Sequence, residues 1–174
     1  MFDGIYLVAI TVGLCATYAA LLLFLPFFFN KVRRRIPMRT IIVSITSIIL
    51  LSVAGYAVAL SISDLQLGNR VLHGFGGGFM AFFACFLAAR DSGVSVGRTR
   101  FFIMAALIVT ALGVLNELAE LFLERCCDLP LPETLDDTWL DLLSNTVGLL
   151  FAALCFVPFF GAGSTEVRVT SSVR

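Results

Sequence analysis

The chain has 174 residues, 59% of them hydrophobic and 14% charged, with twelve basic residues balancing twelve acidic ones. A mean hydropathy of +0.99 lies outside the usual range of soluble domains, and a net charge of zero offers no basis for nucleic acid as a partner. The expected class is therefore all-α: an integral membrane bundle of five transmembrane helices in a single domain, residues 1–160, with the bilayer as its first partner.

Residues 5–29 form an apolar run longer than the roughly 20 residues needed to cross a bilayer core, and give the first span. A cleaved signal would carry positive charge ahead of a shorter core. Here Asp3 precedes the run, and Lys31, Arg33, Arg34, Arg35 and Arg39 follow it. The second span is 41–62, and SDLQLGNR connects it to a third at 71–89, which opens with LHGFGGGF. The connection RDSGVSVGRTR leads to a fourth span, 101–123, apolar until Asn116. An acidic connection with two prolines, ERCCDLPLPETLDD, precedes the fifth, 138–160, and residues 161–174 are expected to be a short mobile cytoplasmic tail.

With the N-terminus outside and five crossings, ten Lys and Arg residues fall on the cytoplasmic side, while only Arg70 and Arg125 fall outside. That bias predicts an N-outside, C-cytoplasmic multi-pass protein of the cell membrane.

This topology gathers the start of the third span, the end of the fourth and the start of the fifth on the outer side. Glu117, Glu120 and Glu124 follow i, i+3, i+7 spacing, and Asp137, Asp141 and Asn145 follow i, i+4, i+8, so each set makes a stripe on one helix face. At 1.5 Å per residue Glu117 sits roughly 10 Å inside the end of its span, and Asn145 roughly 9 Å inside Trp139. Carboxylates at such depth are costly and mark function by default. Facing stripes joined by His73 predict a polar pocket open to the exterior, lined by His73, Glu117, Glu120, Asp137, Asp141 and Asn145. Glu124 and Asp136 are read equally well as solvated interfacial charges. Gly74 and Gly78 form a G-x-x-x-G pair that permits close helix packing, with Gly148 the small residue of the last span; the GGG run would equally serve a movable or partly unwound segment.

One histidine rules out a bis-histidine haem within the chain, and the five cysteines have no zinc-ligand spacing. Carboxylates with a histidine suit a hard or borderline divalent metal ion, with His73, Glu117 and Asp141 as the candidate ligands. Catalytic residues are not identified: no nucleophile elbow, P-loop or H-E-x-x-H is present.

His73, the N-E-L-A-E of the fourth span and the D-D-T-W-L-D-L-L-S-N-T-V-G of the fifth resemble VanZ-like membrane proteins. That family shows a histidine opening one helix, a glutamate near the end of the next, and an aspartate and asparagine ahead of a glycine in the last. His73, Glu117 or Glu120, Asp141, Asn145 and Gly148 match that order. The paired glutamates and the D-T-W-L-D run also resemble the uncharacterised YjdF-type inner-membrane proteins. The chain departs from the VanZ-like pattern in lacking a glutamine soon after the glutamate and an arginine before the aspartate, where Asp136 and Asp137 stand instead. Three functions compete: an outer pocket binding or processing a polar envelope lipid headgroup, an envelope precursor or a metal ion; an accessory subunit pairing its polar stripe with a partner membrane protein; and a small proton- or ion-coupled transporter. The third is disfavoured because the inner halves of the spans lack matching ionisable groups to complete a path.

Overall fold

The computed structural model describes residues 3–29, 35–94, 96–127 and 135–160, with side chains placed for 7–29, 35–94, 96–126 and 136–160. The basic residues Lys31, Arg33 and Arg34, the loop 128–134 and the expected tail 161–174 lie outside the described residues. The regular elements are α1 (Asp3–Phe28), α2 (Met38–Leu60), α3 (Leu65–Leu72), a π-helix (His73–Met80), α4 (Ala81–Asp91), α5 (Arg98–Cys127) and α6 (Leu135–Phe156), which closes in a short 3-10 turn, Val157–Phe159. Among the described residues, five segments are long and apolar enough to cross a membrane: Leu7–Phe28, Met38–Leu60, Leu65–Asp91, Arg98–Cys126 and Asp136–Phe159.

The third segment starts at Leu65, ahead of the expected residue 71, because Asp64 caps it. The Asp64 carboxylate accepts hydrogen bonds from the backbone N–H groups of Gln66 at 2.9 Å and Leu67 at 3.1 Å. Most of the expected connection SDLQLGNR is thereby helical, and Arg70 lies one turn before His73 on the same helix.

This third segment is the axis of the bundle: 56% of its most apolar window is buried, against 17–28% for the other four. Met80, Phe82, Ala84, Cys85 and Ala88 form the core around it, met by Leu14, Tyr18 and Leu22 of α1 and Ile48 of α2. Toward the end of α4 the core is aromatic, with the rings of Phe101 and Phe160 stacked at 4.0 Å and those of Phe86 and Phe156 at 5.1 Å. Large apolar side chains such as Phe24, Phe27, Leu107 and Leu154 point outward from the other helices. In water this would be an aggregating surface; in a bilayer it is the lipid face.

The middle of the third segment widens into two turns of π-helix, a geometry that is rare and concentrated at functional sites. Glycine explains how α6 can lie against it. A Cβ on Gly148 would fall 1.7 Å from the carbonyl oxygen of Gly74, and one on Gly78 would fall 2.2 Å from that of Asn145. Backbone therefore touches backbone there, as small residues allow between membrane helices.

Candidate functional site

His73 stands at the junction of α3 and the π-helix, Glu117 nearly three turns before the end of α5, and Asp141 in the second turn of α6. The close approach of α6 to the π-helix brings the three side chains together, and all three are buried. His73 lies between the two carboxylates: its Nδ1 is 3.8 Å from Glu117 Oε1, and its Nε2 is 3.6 Å from Asp141 Oδ2. These separations exceed hydrogen-bond length, so the interaction is an electrostatic one that strengthens when the imidazole is protonated.

Asp141 has a second partner, absent from the reading of the sequence. Arg70 Nη1 donates to Asp141 Oδ1 at 2.5 Å and to the Asp137 carbonyl at 3.2 Å, while its Nη2 donates to Asp137 Oδ1 at 2.5 Å. The guanidinium fork thus ties the start of α6 to the end of α3 with charge-assisted bonds.

Glu120 completes the other side. One ligand atom each from His73, Glu117 and Glu120 lie within 4.8 Å of one another, and Asn116 Nδ2 donates to Glu120 Oε1 at 2.5 Å. Two nitrogen or oxygen ligands on a tetrahedral zinc ion lie about 3.4 Å apart, so adjustments of about 1.4 Å would close the set. The imidazole presents its Nε2 side to Asp141, the aspartate held by Arg70, and among the described residues the set that converges is His73, Glu117 and Glu120, without Asp141. Asn145 is buried beside the site, its Oδ1 accepts no hydrogen bond among the described residues, and a Cβ on Gly77 would fall 2.2 Å from it.

Among the described residues, Arg70 pairs with Asp137 and Asp141, while Glu117 and Glu120 gather at His73. A cation bound among His73, Glu117 and Glu120 would be held by two carboxylates and one imidazole. It could polarise a phosphoryl or carbonyl oxygen, or lower the pKa of a bound water.

Between the π-helix and α6 runs an apolar cavity of about 490 Å³, lined by Gly74, Phe75, Phe79, Val147 and Phe151 among others, with Arg70 on its wall. The polar cluster and this groove share Arg70 as a common boundary.

A second polar cluster occupies the other end of the bundle. The Asp91 side chain, 2% exposed, accepts from Tyr18 Oη at 2.8 Å, Ser44 Oγ at 2.6 Å and Arg90 Nε at 2.8 Å. Asp91, which the sequence pattern puts in a connection, is the last residue of α4. Cys126 is exposed in the last turn of α5, and the Cys127 side chain lies outside the described residues.

A family model described as a predicted membrane protein, DUF2238, matches residues 5–161. The chain belongs to that family. The match spans α1 through the 3-10 turn, so both polar clusters of this DUF2238 member fall within it. It establishes a membrane-protein family and is coarser than the VanZ-like and YjdF-type resemblances, which it does not extend to. No curated protein and no solved structure matches the chain.

Proposed function

We propose that this DUF2238 member is a multi-pass protein of the cell membrane whose outer-end cluster holds a divalent cation between His73, Glu117 and Glu120, and through it binds the polar group of an envelope lipid or precursor. The observation that carries the reading is the convergence of one imidazole and two carboxylates within 4.8 Å. The bias of ten basic residues to two sets the orientation that turns this cluster outward. The order of residues shared with VanZ-like proteins agrees with a site at these positions, and Asp137, Asp141 and Asn145 line it.

Purified protein in nanodiscs, titrated calorimetrically with Zn²⁺ and Mn²⁺, is expected to bind one ion per chain. Glu117→Gln and Glu120→Gln should each weaken binding by about 10- to 100-fold while the protein still inserts and purifies. Equal affinity in wild type and both variants would refute the site.

A small ion-coupled carrier is a second reading, favoured by one observation: the buried Asp91 at the far end of the same helix. Between the two clusters, however, stand Ile48, Met80 and Phe82, each fully buried and apolar. Proton or ion flux into proteoliposomes, lost on Asp91→Asn, is the measurement that would favour this reading over the first.

A further inference from the structure

A second cavity lies between α1 and α2, at the end of the bundle away from His73. Its volume is about 550 Å³, within the range of small-molecule sites. Tyr18 and Leu22 of α1, both buried, form its floor, and Ile41 and Ile45 of α2 line it from the other side. Ala19 and Leu23 are exposed, so the cavity opens sideways onto the lipid face. The Tyr18 hydroxyl donates to Asp91, which places the cavity beside the Asp91 cluster.

The sequence builds a charged rim onto these apolar walls. Proline disfavours helix in the residue before it, and Pro37 begins α2 with a ψ of 134°, so Arg35 and Ile36 reach the helix in non-helical backbone. Ile36 packs against the core and lines the cavity, which fixes its neighbour Arg35 at the rim, the one charged residue of the lining. Across the cavity, Pro26 has no N–H to bond the Leu22 carbonyl, so α1 loses a rung of its ladder there.

Arg35 is exposed, and among the described residues nothing pairs with its guanidinium or accepts a hydrogen bond from it. Its forked N–H groups match two oxygens of a phosphate. Residues 29–40 contain five basic residues and no acidic one, so no carboxylate of this segment competes for the site. The same basic bias assigns this end to the cytoplasm, where the membrane leaflet carries anionic lipid.

From these features we propose that the cavity between α1 and α2 binds an anionic phospholipid of the cytoplasmic leaflet, with an acyl chain along Leu22, Ile41 and Ile45 and the phosphate on Arg35. Arg35 and the apolar walls line one cavity, so a single molecule reaches both. The occupant is a lipid rather than a partner's helix on grounds of size. A spanning helix is about 10 Å across and about 30 Å long and far exceeds the cavity, whereas a flexible chain enters it from the bilayer. Anionic lipid is preferred because the ammonium of a zwitterionic headgroup competes with Arg35 for the phosphate.

The test is native mass spectrometry of the full-length protein in detergent with phosphatidylglycerol, with phosphatidylcholine of the same chains, and with inorganic phosphate. Phosphatidylglycerol is expected to bind about 5-fold or more tightly than phosphatidylcholine, the factor supplied by one basic side chain near a membrane surface, and inorganic phosphate should not compete with it. Arg35→Gln should abolish the preference. Arg39→Gln, which removes an exposed charge of the same segment outside the cavity lining, should leave it intact. Ala19→Phe, which fills the cavity from the lipid side at an exposed position, should lower the occupancy of both lipids, with the melting temperature reporting that each variant is folded. Equal binding of the two lipids, or displacement of phosphatidylglycerol by inorganic phosphate, would overturn the proposal. Equal effects of Arg35→Gln and Arg39→Gln would reduce it to diffuse attraction by the basic segment and overturn the site. A dimer that Ala19→Phe dissociates would assign the cavity to a second copy of the chain and overturn it as well.

Discussion

Replacing Gly148 with alanine adds one methyl group at the tightest point of the bundle. Its carbon would sit 1.7 Å from the Gly74 carbonyl oxygen, 2.6 Å from the Gly74 carbonyl carbon and 3.0 Å from the Phe79 nitrogen. Carbon and oxygen come no closer than about 3.3 Å even in favourable contacts, so α6 must retreat by about 1.5 Å. These neighbours are backbone atoms of the central helix, and no rotamer change relieves the clash. Overpacking of this kind costs about 1–3 kcal/mol when side chains can yield, and we expect about 3 kcal/mol or more here. For a chain of this size that corresponds to a fall in melting temperature of about 6–12 °C, readable from the fluorescence of Trp139 in a detergent melt. Gly13→Ala is the matched control, since a Cβ at that position meets nothing within 4 Å. It should leave the melting temperature unchanged or slightly raised, because alanine is the better helix former by about 1 kcal/mol. A Gly148→Ala protein melting within about 2 °C of wild type would refute backbone-to-backbone packing of α6 on the π-helix.

Arg70→Ala should destabilise the fold by about 3–5 kcal/mol, because it strands the buried Asp141 carboxylate, and pairing it with Asp141→Asn should recover part of the loss in the same melt. At the other end, Tyr18→Phe removes one hydrogen bond to Asp91 and should cost about 1–2 kcal/mol, whereas a lipid-facing change such as Leu107→Ala should cost less; equal effects would mean that the Asp91 cluster contributes nothing. Reporter fusions at Ser172 and within residues 128–134 should report opposite sides of the membrane, and a same-side result would remove a span.

Hydropathy makes the five spans legible because each must bury about 20 apolar residues in hydrocarbon, a demand that leaves continuous runs in the sequence. The stripe of Asp137, Asp141 and Asn145 is legible for a similar reason, since helical spacing puts it on one face before any partner is known. Arg70 was not. As the lone basic residue of an outer connection it served only as a count toward orientation, and its role depends on Asp64 extending the helix so that Arg70 and His73 share a face. A sharper signal was available in the spacing of Asp64, Arg70 and His73. Asp91 is not legible because the apolar run fades at Ala89, although its helix continues to a carboxylate satisfied by side chains from two other spans. The glycines of GFGGGF announced close packing or unwinding, and the structure has the first together with a widened helix. Which of these a glycine run adopts is decided by the partner helix pressed against it, and that contact is not written in the run itself.

The third span carries one polar anchor near each end, His73 with its carboxylates at one and Asp91 with Tyr18 and Ser44 at the other. Eighteen residues separate the two, or roughly 27 Å along an ideal α-helix and somewhat less through the wider π turns. A span held at both faces in this way cannot slide along the membrane normal to suit its surroundings, as a uniformly apolar helix can. It behaves as a ruler. In a bilayer much thicker than this interval, one of the charged groups would be drawn into hydrocarbon unless the lipid thinned around the protein or the bundle tilted less, at a cost that accumulates with every ångström of mismatch. The membrane in which this bundle rests without distortion is therefore specified by the distance between two carboxylate clusters, rather than by the length of any apolar run.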